Sequence, residues 1–258
     1  MKAVHRVLDP AAGPQVPPGL CALAVMTKAP RPGEVKTRLT PPLTPEEAAA
    51  LNICFLRDTT AAISAAVADG RAAGIAAYTP VGAENAWAEI LPGHFQLIAQ
   101  RGDSFGERLV GALDDLLRVG FDSVCLIDSD SPTVPERAYA EAVQLLAQSG
   151  DRMVLGPTAD GGYYLIGLKR LHRRVFEEIE WSTERVFPQT LERAAEIDLK
   201  VELLPDCFDV DDRTTLRRLC DELLGNTPAA GKYSAPETRA FLADLIASEG
   251  RDRVWSNE

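Results

Sequence analysis

Hydrophobic residues along the chain alternate between short continuous runs and longer stretches in which they recur every three or four positions. The continuous runs are typical of buried strands, and they lie at 20–26, 73–79, 95–99, 123–127, 153–155, 163–166 and 200–204. The periodic stretches predict helices from Thr44 to about residue 67, at about 105–118, after 136, at about 183–197, at about 212–224 and after Ser234. This alternation predicts an α/β fold whose mostly parallel central sheet is covered by helices on both faces.

Two helix starts carry additional local signals. The segment 44–47 combines a threonine N-cap, a proline at the first helical position and a glutamate three residues after the cap. The segment 234–237 places a serine, a proline and a glutamate in a similar order before the last helix. Both segments therefore predict helices that are capped by their own neighbouring residues.

The distribution of prolines and of periodic segments predicts three regions. Four prolines in the first 18 residues favour a loose N-terminal extension over residues 1–19. Residues 20–225 contain the alternating strands and helices and predict one domain. Residues 226–258 predict a helical C-terminal appendage packed on that domain.

Composition excludes several classes of protein. The 27 Lys and Arg residues against 38 Asp and Glu residues give a net charge of −11, which argues against a protein that grips a nucleic-acid backbone. Five cysteines without C-x-x-C spacing argue against a disulfide scaffold or a zinc site. No apolar run approaches the ~20 residues that a membrane-spanning helix needs. We therefore expect a cytoplasmic protein with neither nucleic acid nor a membrane as partner.

A basic loop follows the first predicted strand. Lys28, Arg31, Lys36 and Arg38 stand within eleven residues of an otherwise acidic protein, and Gly33 gives this loop conformational freedom. Cations on a loop at the carboxyl end of a strand can surround a phosphate group, although a solvated basic loop is the alternative. The chain has no Walker A motif and no G-x-G-x-x-G motif after a strand, which disfavours P-loop NTPases and Rossmann dehydrogenases.

Two acidic clusters follow other predicted strands. Asp128 and Asp130 come directly after the strand at 123–127, and Asp209 and Asp211 precede the helix at 212–224. Closely spaced carboxylates repel each other unless a cation lies between them, and Mg²⁺ or Mn²⁺ prefers such oxygen ligands together with substrate phosphates. Helix or turn capping is the alternative role for each cluster.

Glycine-rich and aromatic segments supply the remaining candidates. Asp160 precedes two glycines and an apolar strand, so it is a candidate base toward an acceptor hydroxyl, with a tight hairpin as the alternative. A polar loop with glycines is placed for base or ribose contacts, and its candidate residues are Gln100, Gly102, Gly106 and Arg108. The predicted acceptor-binding residues are Gly161, Gly162, Tyr163, Trp181, Ser182 and Thr183. Trp181 has a hydrophobic staple before an N-cap as its alternative role.

The order of these motifs carries a resemblance to a known family. The motifs are K-A-P-R-P-G-x-V-K-T-R-L, Q-x-G followed by G-E-R, D-S-D-S-P, D-G-G-Y-Y-L-I-G-L, W-S-T and D-V-D. From about residue 20 to about 220 they closely resemble the transferases associated with radical-SAM/selenodomain proteins, also labelled arsenosugar-biosynthesis glycosyltransferases. That family resembles the three-layer GT-A fold of nucleotide-diphospho-sugar transferases, which also includes the molybdenum-cofactor and phospholactate guanylyltransferases.

The resemblance implies roles for individual residues. It places the basic residues 28, 31, 36 and 38 on a diphosphate, with Lys36 also in a catalytic role, and Asp130 on a metal ion. Many relatives have glycine at position 128, so the resemblance implies that Asp128 is an additional ligand. Asp160 would face the acceptor, and Asp209 or Asp211 would complete the metal site.

These residues predict a Mg²⁺- or Mn²⁺-dependent transferase that uses a nucleotide-activated donor. The first hypothesis is glycosyl transfer from a nucleotide sugar to a small-molecule acceptor. The second is nucleotidyl transfer from a nucleoside triphosphate to a phosphate or phosphonate acceptor, which needs the same cations. The third is a catalytically silent nucleotide-binding protein on the same fold. The sequence is silent on oligomeric state.

Overall fold

The computed structural model describes residues 5–225 and 233–255 of the chain. Seven strands form one sheet, and their bounds are β1 Cys21–Lys28, β2 Ala72–Thr79, β3 Gln96–Ala99, β4 Ser123–Ile127, β5 Met153–Pro157, β6 Tyr163–Leu168 and β7 Val201–Leu203. The α-helices described are α1 Pro45–Ala66, α2 Phe105–Arg118, α3 Glu136–Ala147, α4 Val186–Glu196, α5 Arg213–Leu224, α6 Pro236–Glu249 and α7 Asp252–Trp255.

The sheet has the order β3-β2-β1-β4-β6-β5-β7 and is mostly parallel, as predicted. Strands β1, β2, β3 and β4 pair in parallel, as do β5 and β7, whereas β6 runs antiparallel to both of its neighbours. The start of β6 therefore lies at the same edge as the ends of β4 and β5. Loops that follow β1, β4, β5 and β7 consequently meet at this carboxyl edge.

Each face of the sheet is covered because side chains of a strand alternate in direction. In β1, Leu23 and Val25 pack in the cluster that includes residues of α1 and α3, whereas Ala22 and Ala24 pack in the cluster that includes residues of α2 and α4. A third apolar cluster joins α1 to α5 and α6. The predicted three-layer α/β/α architecture is confirmed.

The N-terminal segment differs from the prediction. Leu8 is buried, and its backbone N–H donates to the carbonyl oxygen of Leu97 at 2.8 Å. The His5 ring is also buried, with Nδ1 lying 3.0 Å from the carbonyl oxygen of Phe95. The expectation of a loose extension is therefore wrong for residues 5–8, because their backbone pairs with the exposed edge of β3. The division of the chain into three regions stays a prediction.

The two predicted helix caps have different outcomes. In α1 the Glu47 N–H donates to Thr44 Oγ1 and the Glu47 carboxylate accepts the Thr44 N–H, so the capping box is confirmed. Helix α6 has no cap from its own sequence neighbours. Its first N–H groups instead donate to the buried carboxylate of Asp58 in α1, at 3.1 Å from Glu237 and 2.8 Å from Thr238.

Helix α6 is thus anchored through tertiary contacts, and the predicted cap at Ser234 is wrong.

Within residues 5–225 and 233–255, no helix combines the length and the apolar character needed to cross a bilayer.

Candidate functional site

Two adjoining cavities open at the carboxyl edge of the sheet. The first, which we call the lysine lobe, has a volume of about 290 Å³, and its lining residues are Lys28, Glu34, Val35, Lys36, Thr37, Arg38, Asn52, Ser129, Asp130 and Asp211. The second, the aromatic lobe, has a volume of about 440 Å³, and it is lined by Arg38, Phe105, Asp160, Gly162, Tyr163, Trp181, Ser182, Thr183, Glu184, Val186, Asp209 and Asp211. Arg38 and Asp211 line both lobes, so the two cavities form one cleft.

Lys36 lies at the centre of the lysine lobe. Its ammonium group is 2.8 Å from Asp130 Oδ1 and 3.3 Å from Asp211 Oδ1, and it donates to the carbonyl oxygen of Val210 at 2.6 Å. The side chain is only 5 % exposed and its Nζ lies 5.3 Å from the centre of the Phe55 ring. Burial favours the neutral amine, but the charges of Asp130 and Asp211 outweigh it and raise the pKa of Lys36. The ammonium therefore stays charged and joins the loops after β1, β4 and β7.

The backbone of Lys36 is also unusual. Its φ of 48° lies in the left-handed region, which a residue with a side chain adopts at an energetic cost. This conformation ends the basic loop and begins a single 3-10 turn at Thr37–Leu39. It directs the lysine inward toward Asp130 and Asp211, whereas most of the other predicted cations of the loop are exposed.

The other three cations of the basic loop are paired differently. Lys28 and Arg31 lie 3.4 Å and 3.9 Å from Glu34, so both are partly neutralised within the loop. Arg38 lies 3.7 Å from Asp211 and is 70 % exposed. The positive φ of Gly33, at 75°, permits the turn that folds the loop back on itself. Lys28, Lys36 and Arg38 are thus brought together on the lysine lobe, whereas Arg31 is placed at its margin through Glu34.

The predicted metal ligands form two groups with different partners. Asp130 and Asp211 share the ammonium of Lys36, whereas Asp128 accepts a hydrogen bond from Ser131 Oγ at 2.7 Å. Burial and the nearby charge of Asp130 raise the pKa of Asp128 well above its ordinary range. Burial and the charges of Asp160 and Asp211 raise the pKa of Asp209 to about 6. These carboxylates therefore lie in a negative field that Lys36 only partly offsets.

This donor set is suited to a divalent cation only with help from a ligand. Carboxylate oxygens in a negative field are the chemistry that Mg²⁺ and Mn²⁺ prefer, and such ions are commonly held by one or two carboxylates together with phosphate oxygens. In the part of the chain that the structure describes, no group of three or more Asp, Glu, His or Cys side chains is arranged to hold a metal ion by itself. A metal bound here would therefore be completed by water or by oxygens of a ligand such as a phosphate.

The hairpin between β5 and β6 positions Asp160. Its Oδ1 accepts hydrogen bonds from Thr158 Oγ1 at 2.6 Å and from the Gly162 N–H at 3.0 Å, which closes a tight turn. Gly161 in this turn has a φ of 91°, and a Cβ at this position would overlap the backbone of Glu184. The turn alternative considered for this motif is thus observed, and the same turn places Asp160 on the wall of the aromatic lobe.

Two aromatic side chains form the opposite part of the same lobe. Phe105 and Trp181 meet edge to face with ring centres 5.2 Å apart, and Phe105 remains 50 % exposed. Two polar residues follow Trp181 along this wall. Ser182 has a φ of 65°, and the Thr183 hydroxyl donates to the carbonyl oxygen of Glu180. Tyr163 and Gly162 complete the predicted acceptor group on this lobe, and Gly161 lies in the turn behind it.

The predicted base or ribose contacts lie elsewhere. Gln100 Nε2 donates to the carbonyl oxygens of Ala77 at 2.7 Å and Thr27 at 3.2 Å, so this amide joins the ends of β1 and β2. Gly102 and Gly106 line a third cavity of about 500 Å³, on the other side of Trp181. Arg108 donates to backbone carbonyl oxygens of its own loop. The structure does not bring this group to the lysine lobe.

Sequence reasoning missed Asn52 and Phe105. Asn52 lies on α1, is 4 % exposed and lines the lysine lobe, and its buried Oδ1 has no hydrogen-bond partner among the described residues. A buried amide oxygen without a partner is costly unless a ligand or water satisfies it. The available signal was a polar residue among the alanines, leucine and phenylalanine of the buried face of α1. Phe105 had no comparable signal, because its exposure depends on the loops around it.

Comparisons with known proteins place these observations in context. The model of the family DUF2064, described as an uncharacterized protein conserved in bacteria, matches residues 62–183. No curated protein matches the chain. A structure from Desulfovibrio desulfuricans G20, provisionally named a nucleotide-diphospho-sugar transferase, shares 30 % identity and has a TM-score of 0.75, covering 88 % of this chain and 95 % of its own.

Two more distant structures are similar to the chain at lower identity. The bifunctional IspDF from Campylobacter jejuni has 11 % identity and a TM-score of 0.50, covering 77 % of this chain and 54 % of its own. Glucosyl-3-phosphoglycerate synthase from Mycobacterium tuberculosis, in complex with Mn²⁺, uridine diphosphate and phosphoglyceric acid, has 12 % identity and a TM-score of 0.45, covering 82 % and 80 %. At 11 % identity, the likeness to IspDF extends to the fold alone.

Proposed function

The chain belongs to the DUF2064 family, and we propose that it transfers a sugar from a nucleotide-diphospho-sugar donor to a small-molecule acceptor. The main support is Lys36, a buried and charged ammonium on the lysine lobe that contacts Asp211, a residue that lines both lobes of the cleft. The finer resemblance, to arsenosugar-type glycosyltransferases associated with radical-SAM proteins, stays a prediction.

The lysine lobe is the proposed site for the donor diphosphate. Lys28, Lys36 and Arg38 approach this cavity from different sides, and charge-assisted hydrogen bonds from such groups to phosphate oxygens are among the stronger ones in proteins. Asn52 adds a buried amide oxygen that a ligand hydroxyl could satisfy. The lobe thus offers both charge and one neutral polar contact to a nucleotide sugar.

Asp130 and Asp211, with Asp209 close by, are the proposed holders of a divalent ion, completed by the donor's phosphate oxygens. When bound, such an ion stabilises the negative charge that develops on a departing diphosphate. Lys36 holds the two carboxylates of Asp130 and Asp211 in place and contributes its own positive charge toward the same diphosphate. Asp128, which accepts a hydrogen bond from Ser131, lies close enough to Asp130 for the charge of that carboxylate to act on it.

The transfer itself involves groups of the aromatic lobe. The acceptor oxygen forms a bond to the anomeric carbon, the bond from that carbon to the phosphate oxygen breaks, and the nucleoside diphosphate leaves with the electron pair. The proton of the acceptor hydroxyl passes to a carboxylate, for which Asp160 is the proposed base because it lines this lobe and the hydrogen bonds of the turn go to its Oδ1.

A thermal-shift series tests this proposal. The full chain is heated with Mg²⁺ or Mn²⁺ and with UDP-, GDP-, ADP- or dTDP-sugars, and in parallel with CTP, GTP or UTP. A ligand present at 100 times its Kd stabilises a protein by about 2.7 kcal/mol, so a specific donor raises the midpoint clearly. We expect stabilisation by at least one nucleotide sugar, and its loss in Asp130→Ala.

The alternatives correspond to distinct outcomes. Stabilisation by free triphosphates alone would favour nucleotidyl transfer, for which the same cations would serve. Stabilisation by a nucleotide sugar with neither hydrolysis nor transfer would favour a silent nucleotide-binding protein. Absence of stabilisation by every nucleotide would contradict the proposal.

A further inference from the structure

The charged groups of the cleft are distributed unequally between its lobes. Four carboxylates line the aromatic lobe, and they belong to Asp160, Glu184, Asp209 and Asp211. Among the described residues, Arg38 is the one cationic side chain on this lobe, and it is 70 % exposed and lies 3.7 Å from Asp211. The lysine lobe, by contrast, holds the cations Lys28, Lys36 and Arg38 beside three carboxylates, those of Glu34, Asp130 and Asp211. An anion would therefore meet as many cations as carboxylates in one lobe and mostly carboxylates in the other.

The aromatic lobe also offers an apolar surface to a ligand. The rings of Phe105 and Trp181 form an edge-to-face pair, and half of Phe105 is exposed although it is a large hydrophobic residue. Exposed aromatic faces bind the apolar faces of rings, and they attract cations through the negative charge of the ring face. The aromatic pair is an observation independent of the carboxylates, and it indicates that this cavity accepts a ligand with an apolar face.

The two observations disfavour the same class of ligand. A phosphate, phosphonate or carboxylate in the aromatic lobe would lie beside like charges. Lys36 and Arg38 offset the charge of Asp211, and the proposed ion would offset that of Asp209, but the carboxylates of Asp160 and Glu184 would remain. A neutral ring with hydroxyl groups, or an amine, would instead contact an aromatic face and hydrogen-bond to a carboxylate.

We propose that the aromatic lobe takes a neutral or positively charged acceptor with an apolar face, and that it rejects acceptors carrying a phosphate, phosphonate or carboxylate. This inference rests on the proposed function, because it assigns the acceptor to the lobe that adjoins the diphosphate site. It selects sugar, cyclitol or amine acceptors over the anionic acceptors of the nucleotidyl-transfer hypothesis.

Matched probes test the charge preference directly. Cyclohexylmethanol, cyclohexylmethylamine and cyclohexylmethyl phosphate share one ring and differ in charge. Each is titrated into the full chain, and the signal is the fluorescence change that is present in the wild type and absent in Trp181→Phe. Because Trp181 also lines the third cavity, the Glu184→Gln variant assigns this signal to the aromatic lobe. We expect the alcohol and the amine to bind at least about tenfold more tightly than the phosphate, because the lobe carries several like charges toward the phosphate.

A charge variant and a matched control sharpen this test. Glu184→Gln removes one carboxylate from the lobe, and we expect the preference for the amine over the phosphate to fall about threefold, as is typical for a partly exposed charge pair. Glu192→Gln removes an exposed carboxylate from α4 that does not line the lobe, and its preference should match that of the wild type. A separate titration with a nucleoside diphosphate and Mg²⁺ then measures whether the donor site binds its ligand in the same variants.

The possible failures are distinguishable. Binding of the phosphate as tightly as the amine, or a Trp181 signal that none of the three probes changes, would overturn the inference about the acceptor. That result can occur while nucleotide sugars still stabilise the chain, in which case the proposed function stands. If no nucleotide binds but the charge preference is found, the proposed function fails and the preference of the cavity stands by itself.

Discussion

Replacement of Lys36 by methionine is the most informative single change in the cleft. Methionine keeps an unbranched apolar stem beside Phe55 but removes the ammonium that lies between Asp130 and Asp211. The variant therefore separates the charge of Lys36 from the space that its side chain fills. Two quantities should change, namely the affinity for a nucleoside diphosphate and the free energy of unfolding of the unliganded chain.

The expected loss of affinity follows from Coulomb's law. A unit positive charge about 4 Å from a phosphate charge contributes about 4 kcal/mol at an effective dielectric constant of about 20. Asp130 and Asp211 already neutralise part of the ammonium, so about half of this value, ~2 kcal/mol, is a reasonable expectation. Since 1.4 kcal/mol corresponds to a factor of ten, binding should weaken roughly 30-fold.

The expected loss of stability is smaller than for a fully buried ion pair. Removal of one partner of a buried pair typically costs about 3–5 kcal/mol. The side chains of Asp130 and Asp211 are 34 % and 44 % exposed, so water solvates them when the ammonium is removed. We therefore expect Lys36→Met to lower the free energy of unfolding by about 1–2 kcal/mol.

Calorimetric titration with a nucleoside diphosphate and Mg²⁺, combined with urea unfolding, measures both quantities. The matched control is Lys200→Met. Lys200 precedes β7, at the edge of the sheet opposite the cleft, and its side chain is 62 % exposed and paired with Glu202. The control should bind within about twofold of the wild type, since exposed pairs contribute little. Equal affinity of the wild type and Lys36→Met, or an equal loss in the control, would refute the role given to Lys36.

Three further changes test other parts of the structure. Asn52→Leu should leave the free energy of unfolding unchanged or raise it by up to about 1 kcal/mol, because it removes an unsatisfied buried oxygen. The same variant should weaken donor binding in the calorimetric titration, and unchanged binding would contradict the proposed contact of Asn52 with the donor. Arg253→Met should cost about 1–2 kcal/mol in urea unfolding at neutral pH, because Arg253 binds both oxygens of Glu47. Burial disfavours the charged form of Glu47, but its hydrogen bonds outweigh burial and lower its pKa. The stabilisation by Arg253 is therefore complete above the ordinary glutamate pKa and is lost as the pH falls through the lowered value. A difference in stability between the wild type and Arg253→Met that persists at lower pH would contradict this account. Gly161→Ala should destabilise the chain by about 3 kcal/mol through backbone overlap, against about 1 kcal/mol for Gly33→Ala, which has a similar positive φ and no atom within 4 Å of the added Cβ; equal losses would refute the overlap.

The elements of the fold could be predicted because their signals are local. The apolar runs gave the seven strands, and the capping box at Thr44 and Glu47 depends on residues three positions apart. The cap of α6 could not be predicted in this way, because its acceptor, Asp58, lies 179 residues from Glu237. The pairing of residues 5–8 with β3 was missed for a related reason, since an edge strand can bind a short segment that has little pattern of its own.

The candidate site could be predicted in its parts but not in its connections. The sequence predicted a basic loop and two acidic clusters at one edge of the sheet, and the rule that parallel strands end at a common edge brings them together. Which cation is buried was not predictable, because it depends on the left-handed backbone of Lys36 and on the loop that carries Asp211. For Gln100, the sequence predicted a ligand contact, whereas its amide hydrogen-bonds to the ends of two strands in the structure. A polar residue in a loop can have either role, and the sequence does not distinguish them.

The charge arrangement of the unliganded cleft has a consequence for binding. Lys36 is held by Asp130, Asp211 and the carbonyl oxygen of Val210, so a bare phosphate must compete with contacts that already exist. A phosphate that arrives with a divalent cation does not face the same competition, because the cation can take the carboxylates while the ammonium turns to the phosphate oxygens. In Lys36→Met the two carboxylates have no ammonium beside them, so only the divalent ion offsets their charge toward a phosphate. Nucleoside diphosphate binding, measured by calorimetric titration, should therefore depend more steeply on Mg²⁺ in Lys36→Met than in the wild type, and an equal dependence would contradict this reasoning.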